Sequence, residues 1–130
     1  MSMSDPIANM LTMVRNAQAA GKQSVKVPYS NVKFALAQIL QQEHFIAHVE
    51  KSGRSKSRYL DITLAYNEQK QGAITLIKQV SRPGQRMYYG YRDLQLRPGM
   101  TQILSTPNGL MTVRKAKKEK VGGELICELR

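Results

Sequence analysis

The sequence has no tryptophan, only two phenylalanines and a single cysteine, Cys127. One thiol excludes an internal disulfide and fits a reducing compartment. With so few rings, a chain that is 42% hydrophobic must build an aliphatic core. No apolar run is long enough to span a bilayer, and no amphipathic segment pairs a basic face with Trp or Phe anchors, so no membrane partner is expected. The opening Met1-Ser2-Met3-Ser4-Asp5-Pro6 lacks the basic and apolar regions of a signal peptide, which points to a cytoplasmic protein.

Signatures of catalysis are missing as well. There is no phosphate-binding glycine loop, no nucleophile elbow and no Cys/His cluster at metal-ligand spacing. His44 and His48 are four apart, but one falls at a predicted helix end and the other on the next strand, so the spacing loses its meaning as a metal pair. His48 and Glu50 share a strand face as an exposed polar edge. Cys127 alternates with Leu125 and Leu129 and reads as a small core hydrophobe. The expectation is no enzyme, no cofactor and no metal.

Acidic residues are scarce too. Nine Asp and Glu stand against 20 Lys and Arg, a formal charge of +11 at pH 7 and a sequence pI near 10.0. Charge of one sign repels itself in a compact state, and a polyanion is the natural partner, since each neutralised phosphate releases counterions.

The 130 residues allow one ordinary domain or two small ones. Asp5 caps a first helix with Pro6 at its first position; Ile7, Met10, Leu11 and Val14 recur at helical spacing, and Gly21 stops it. A short strand surrounds Val25 and Val27. Ser30 caps a second helix, striped by Val32, Ala35, Leu36, Ile39 and Leu40, that ends near His44. A strand over 45–50, a basic turn (Lys51, Gly53, Arg54, Lys56) and an alternating strand from Leu60 to Tyr66 follow. The polar stretch 67–72 reads as a boundary.

Beyond it, a strand over 73–80 leads to a turn at Arg82-Pro83-Gly84-Gln85 and a return through Met87-Tyr88. A strand over 102–106 turns at Pro107-Asn108-Gly109 into Leu110-Met111. Thr112 caps a small basic helix that Gly122-Gly123 ends, and the last strand puts Leu125, Cys127 and Leu129 on one face. The fold class is therefore α/β, in the α+β sense. A domain at 1–68 is α-β-α-β-β, and a domain at 73–130 is mainly antiparallel β with a short helix.

The charge is uneven. From residue 73 onward eleven Lys and Arg face four acids, a net of +7, whereas residues 1–72 have nine against five, a net of +4. Tyr88, Tyr89 and Tyr91 lie among Arg82, Arg86, Arg92 and Arg97, where they can stack on unpaired bases or close a core. Ser105-Thr106-Pro107-Asn108-Gly109 is uncharged amid this basic region. Its short hydroxyls and turn N–H groups suit base edges and sugar hydroxyls, although Pro and Asn-Gly are also routine in a plain hairpin turn.

Four segments together resemble the bacterial small-subunit ribosomal protein S8 family. They are Asp5-Pro6-Ile7-Ala8-Asn9-Met10-Leu11-Thr12 with Arg15-Asn16, Val80-Ser81-Arg82-Pro83-Gly84 with Arg86-Met87-Tyr88, Ser105-Thr106-Pro107-Asn108-Gly109-Leu110-Met111-Thr112, and Gly122-Gly123-Glu124-Leu125-Ile126-Cys127. The resemblance implies a two-domain protein of the small ribosomal subunit that binds the central domain of 16S ribosomal RNA. It implies neighbours such as proteins S5 and S12, and in some members repression of the protein's own messenger RNA. Family roles map onto Ser105, Thr106, Asn108 and Gly109 in an RNA-probing loop, and onto Tyr88 as a stacking residue. Arg82, Arg86, Arg114 and Lys115 supply the surrounding charge, and Arg15, Asn16 and Lys33 contribute first-domain backbone contacts. The chain departs from the family pattern at Met13 (usually basic), at Pro107 (usually serine), at Val113 (usually aspartate) and at His44 (usually glycine), where a left-handed or adjusted cap is implied. A regulatory RNA- or DNA-binding module outside the ribosome is the other reading open at this point.

Overall fold

The computed structural model describes residues 4–82 and 84–130, with Ser4 and Asp5 described by backbone alone. The chain divides into two compact units, Pro6–Ile74 and the stretch from Thr75 to Arg130.

The first unit holds α1 (Ser4–Ala19) from Pro6 onward, β1 (Ser24–Pro28), α2 (Asn31–Gln42), β2 (Ile46–Ser52) and β3 (Tyr59–Leu64). Helix α1 already includes Ser4, so Asp5 lies inside it, and the capping role expected of the Asp5 side chain falls outside the described residues. Its stripe of Ile7, Met10, Leu11, Val14 and Ala17 is buried, as helical spacing requires. Ser30 caps α2 as expected: its Oγ accepts from the Lys33 N–H at 3.1 Å. The strands form an antiparallel sheet in the order β1-β3-β2, with Val27, Val49, Leu60, Ile62 and Leu64 buried.

The three α-helices among the described residues stop in the same way. After α1, Gly21 takes a left-handed φ of 72°, and Lys22 N–H reaches back to Ala17 O while Gly21 N–H reaches Gln18 O. These are the paired bonds of a Schellman cap, which satisfies carbonyls left open at a helix end. After α2 the pivot is His44 at φ 66°, with Phe45 N–H on Leu40 O and His44 N–H on Gln41 O. Phe45 and Leu40 are both buried, supplying the apolar contact of this motif. A side chain is thus held where glycine is usual.

The stretch 67–72, read above as the boundary, is a turn within the first unit. Asn67 Oδ1 accepts from the N–H groups of Gln69 and Gln71, each at 2.9 Å. The Gln18 amide then grips Ile74 from both sides, donating to its carbonyl at 2.7 Å and accepting from its N–H at 3.2 Å. A Cβ on Gly72 would overlap that same Gln18 side chain. The division falls after Ile74, where the next N–H groups, Thr75 and Leu76, bond to Arg130 O instead.

The second unit is built around β8 (Gly123–Leu129). One edge of β8 pairs with β6 (Thr101–Thr106), which pairs with β7 (Gly109–Thr112); the other edge takes β4 (Ile77–Gln79) toward one end and β5 (Tyr88–Tyr89) toward the other. The expected strand over 73–80 is thus only three residues long, because its first N–H groups are committed elsewhere. A register slip between β6 and β8 leaves Ile126 unopposed, and every residue of β8 from Glu124 to Leu129 is buried. The single apolar face expected for this strand is in fact two. Leu125 joins Leu94, Leu104, Met111, Val113 and Ala116 in one cluster, against the buried side of α3 (Val113–Glu119).

Gly122-Gly123 does not end α3. Lys120 does, at φ 56°, with Val121 N–H on Ala116 O. The two glycines serve close backbone crossings: a Cβ on Gly122 would overlap Tyr89 O, and one on Gly123 would overlap Ser105 O.

Candidate nucleic-acid interface

The hairpin joining β6 and β7 opposes Thr106 to Gly109, with Pro107 and Asn108 between them. Only Gly109 has a positive φ, 109°, so Pro107 sits at a first central position whose backbone angle suits its ring. Pro107 and Asn108 are exposed, Ser105 and Gly109 half-buried, and Thr106 only 8% exposed. The Thr106 hydroxyl donates to Gly109 O at 2.8 Å and accepts from Asn108 N–H at 3.1 Å. It therefore spends its proton inside the turn and holds the tip in shape, so the groups the finger offers outward are Asn108, Ser105 and the Pro107 ring.

Residues directly opposed on antiparallel strands point to one face. Tyr88 opposes Glu124, Glu124 opposes Ser105, and Ser105 opposes Leu110, so four strands place these residues in one row. Tyr88 is 69% exposed although it is a large aromatic. Glu124, nearly buried, receives Nη1 of Arg86 at 3.4 Å. The carboxylate thus restrains a guanidinium beside Tyr88 and Ser105 on the sheet. The glycines at 122 and 123 let Tyr89 and Ser105 approach β8 closely enough for this row to form. Buried Ser81 steadies the approach to β5: its Oγ accepts from Met87 N–H at 3.0 Å. Arg82 is exposed, its backbone closing a two-way bridge with Gln85 at 3.0 and 2.9 Å around the turn expected there; Pro83 within it lies outside the described residues.

Thr112 caps α3 as expected, accepting from Lys115 N–H at 3.2 Å. Arg114 and Lys115 are exposed on its outer side. Lys115 meets Glu119 at 3.7 Å, an exposed pair that adds little. Arg15 and Asn16 are exposed on α1, and Lys33 is half-buried in the first turn of α2; these belong to the first unit. Of the predicted residues, the structure brings together Tyr88, Arg86 and Ser105, next to the tip formed by Thr106, Asn108 and Gly109. Sequence reasoning passed over Ser81, Glu124, Gly122 and Gly123, whose only signals were a serine before Arg-Pro-Gly and a glycine pair entering a strand.

The second unit also contains a cavity of about 590 Å³, with Lys78, Tyr89, Leu94, Arg97, Gln102 and Glu128 among its walls. Glu128, 3% exposed, accepts from Arg97 Nη1 at 2.7 Å, and Arg97 N–H donates to Gln102 Oε1 at 3.3 Å. This pairing ties the irregular 94–100 stretch to β8. Burial, then the charge of Glu128, pushes the Cys127 thiol up to about 12, so it is no nucleophile near neutral pH. His44 and His48 are exposed at a helix end and on β2. Among the described residues no group of His, Cys, Asp and Glu is arranged to hold a metal, and no helix is long and apolar enough to cross a membrane.

Comparison with known proteins follows the same lines. The family model described as Ribosomal protein S8 matches residues 5–129. Proteins named small ribosomal subunit protein uS8 from Psychromonas ingrahamii and Shewanella loihica are each 47% identical over 129 residues, covering 98% of both chains. The protein of that name from Syntrophobacter fumaroxidans is 40% identical over 131 residues, covering 99% of both.

Proposed function

The chain belongs to the ribosomal protein S8 family, a structural component of the small ribosomal subunit, and on that premise we propose that it is a primary binder of the 16S ribosomal RNA central domain. The observation that carries this reading is the row in which Tyr88, restrained Arg86 and Ser105 share one sheet face beside the exposed Asn108 tip. Tyr88 offers a ring for an unpaired base, Ser105 and Asn108 offer short hydrogen-bonding groups for base edges and sugar hydroxyls, and Gly109 permits the turn. Arg82, Arg86, Arg114 and Lys115 neutralise phosphates around it, which supplies affinity without sequence preference. Arg15, Asn16 and Lys33 add backbone contacts from the first unit.

In this role the protein works in the cytoplasm within the small subunit, beside neighbours such as S5 and S12, and helps to organise the platform. Its part is to hold RNA in shape, not to turn over a substrate. The same face would accept a messenger-RNA mimic of the ribosomal site, including one in the protein's own operon. Mapping the nucleotides protected when the protein binds a 16S transcript tests the reading. Protection confined to an irregular helix of the central domain is the expected result; protection elsewhere, or none, defeats it.

A further inference from the structure

The turn between β2 and β3 takes no part in the interface just described, yet it is the densest run of positive charge in the first unit. Residues 51–58 read Lys-Ser-Gly-Arg-Ser-Lys-Ser-Arg, four cations and three serines with no acid among them. The turn is tightly built. Gly53 has φ 83°, a Cβ there would overlap Ser57 O, and a 3-10 turn covers Ser55–Ser57.

Its base rests on aromatic rings. Lys51 Nζ lies 4.4 Å from the Phe34 ring centre and 5.5 Å from that of Tyr29, and the Arg58 guanidinium carbon lies 4.4 Å from Tyr29. Tyr29 is itself fixed, its hydroxyl donating to Asn31 Oδ1 at 2.9 Å and its N–H to Arg58 O at 3.2 Å. Lys26 lies 5.1 Å from the ring of Tyr59 on the neighbouring strands. Cations over ring faces are attracted by the ring quadrupole and lose side-chain freedom before any partner arrives. Among the described residues the three ion pairs join Arg86, Arg97 and Lys115 to carboxylates, and all lie in the second unit. Of the four cations of this turn, Lys51 and Arg58 are therefore held by rings, and none of the ion pairs among the described residues involves any of the four.

We propose that the β2–β3 turn is a second RNA-binding surface, in which Arg58, oriented by the Tyr29 ring, and the exposed Arg54 and Lys56 neutralise phosphates of an RNA backbone while Ser55 and Ser57 bond to phosphate or sugar oxygens. A backbone partner fits better than a base-reading one, because the tip offers point charges and hydroxyls but no exposed ring. The surface rests on the RNA-binding reading above and extends it to a part of the chain that this reading leaves unused.

The test uses the full-length protein and a transcript of small-subunit ribosomal RNA. Replacing Arg54, Lys56 and Arg58 with glutamine should lower the magnitude of the slope of log K against log salt by about 3, roughly one per lost phosphate contact. The unfolding midpoint should hold, since all three side chains are exposed. As a second arm, Ser57→Cys carries a hydroxyl-radical source, which the buried native Cys127 leaves as the sole label. Strand cleavage around one RNA helix is expected. An unchanged salt slope, or no cleavage from position 57 while the wild type still binds, overturns the proposal and leaves the Tyr88 interface standing. A wild type that fails to bind the transcript overturns both. Retained RNA binding with lost incorporation into assembled subunits would assign the turn to an acidic protein neighbour instead.

Discussion

Tyr88 and Thr106 show how differently two polar residues of the proposed interface can act. An exposed ring held on a short strand next to a restrained arginine is positioned to stack, so Tyr88→Ala should weaken binding of the cognate RNA by about 1–3 kcal/mol, measured by filter binding, with little change in the unfolding midpoint. Thr106 works through the turn. Thr106→Ala removes both turn hydrogen bonds and should lower stability by about 1–2 kcal/mol, while also lowering affinity for cognate RNA more than for random duplex. Thr106→Ser, which keeps the hydroxyl, should restore most of both; affinity lost equally in the two variants would show that the methyl group, not the hydroxyl, matters. At Cys127 the direction of the shift sets the pH dependence. Folding holds the thiol protonated up to about 12 against an ordinary value of 9.0. Between those limits the unfolded chain has fewer protons bound, so this residue's contribution is complete below pH 9 and declines as pH rises toward 12. Cys127→Val should flatten the loss of stability over that window, as read by denaturant titration.

At the scale of elements, the Schellman caps make a graded series on one geometry. Gly21 adopts the left-handed pivot freely, whereas His44 and Lys120 hold it with a Cβ. His44→Gly should therefore stabilise the protein by about 0.5–1 kcal/mol, provided the gain exceeds the added freedom of the unfolded chain; thermal unfolding measures the outcome. The reverse holds where strands cross. Gly123→Ala must displace either the Ser105 carbonyl or β8, which would break the row holding Tyr88 and Ser105. That variant should lose RNA affinity even where enough of the fold survives for a cooperative transition. Helices, the caps at Gly21, Ser30, His44 and Thr112, and the β6–β7 hairpin were legible in the chain, because 3.6-residue spacing and cap chemistry act over a few residues; the end of α3 at Lys120 was not. The short β4, the register slip at Ile126 and the turn at 67–72 were not, since each depends on partners far away in sequence: Arg130, the Ile103–Leu104 pair and Gln18.

At the scale of the whole molecule, two compact units meet at Ile74 and Thr75 in the chain. We expect them to act as separate domains, so that a fragment beginning at Thr75 unfolds cooperatively and keeps the preference for cognate over random RNA. A fragment without a cooperative transition would show that the units depend on each other. With +11 formal charges the intact protein should bind RNA with a steep salt dependence, the affinity falling by orders of magnitude between low and moderate salt.

By itself the sequence determined the class of partner, the α/β character, the helix ends at Gly21, Ser30, His44 and Thr112, and the four segments shared with the S8 family. All of these rest on composition, net charge or contacts between residues close along the chain. Tertiary structure decided which side chains could be used. Opposed strands brought Tyr88, Glu124 and Ser105 into one row, a hydrogen-bonded turn took the Thr106 hydroxyl out of reach, and rings at positions 29 and 34 oriented the cations near residue 51. Pairings of that kind depend on register and close backbone approach over dozens of residues, and no local pattern in the chain encodes them.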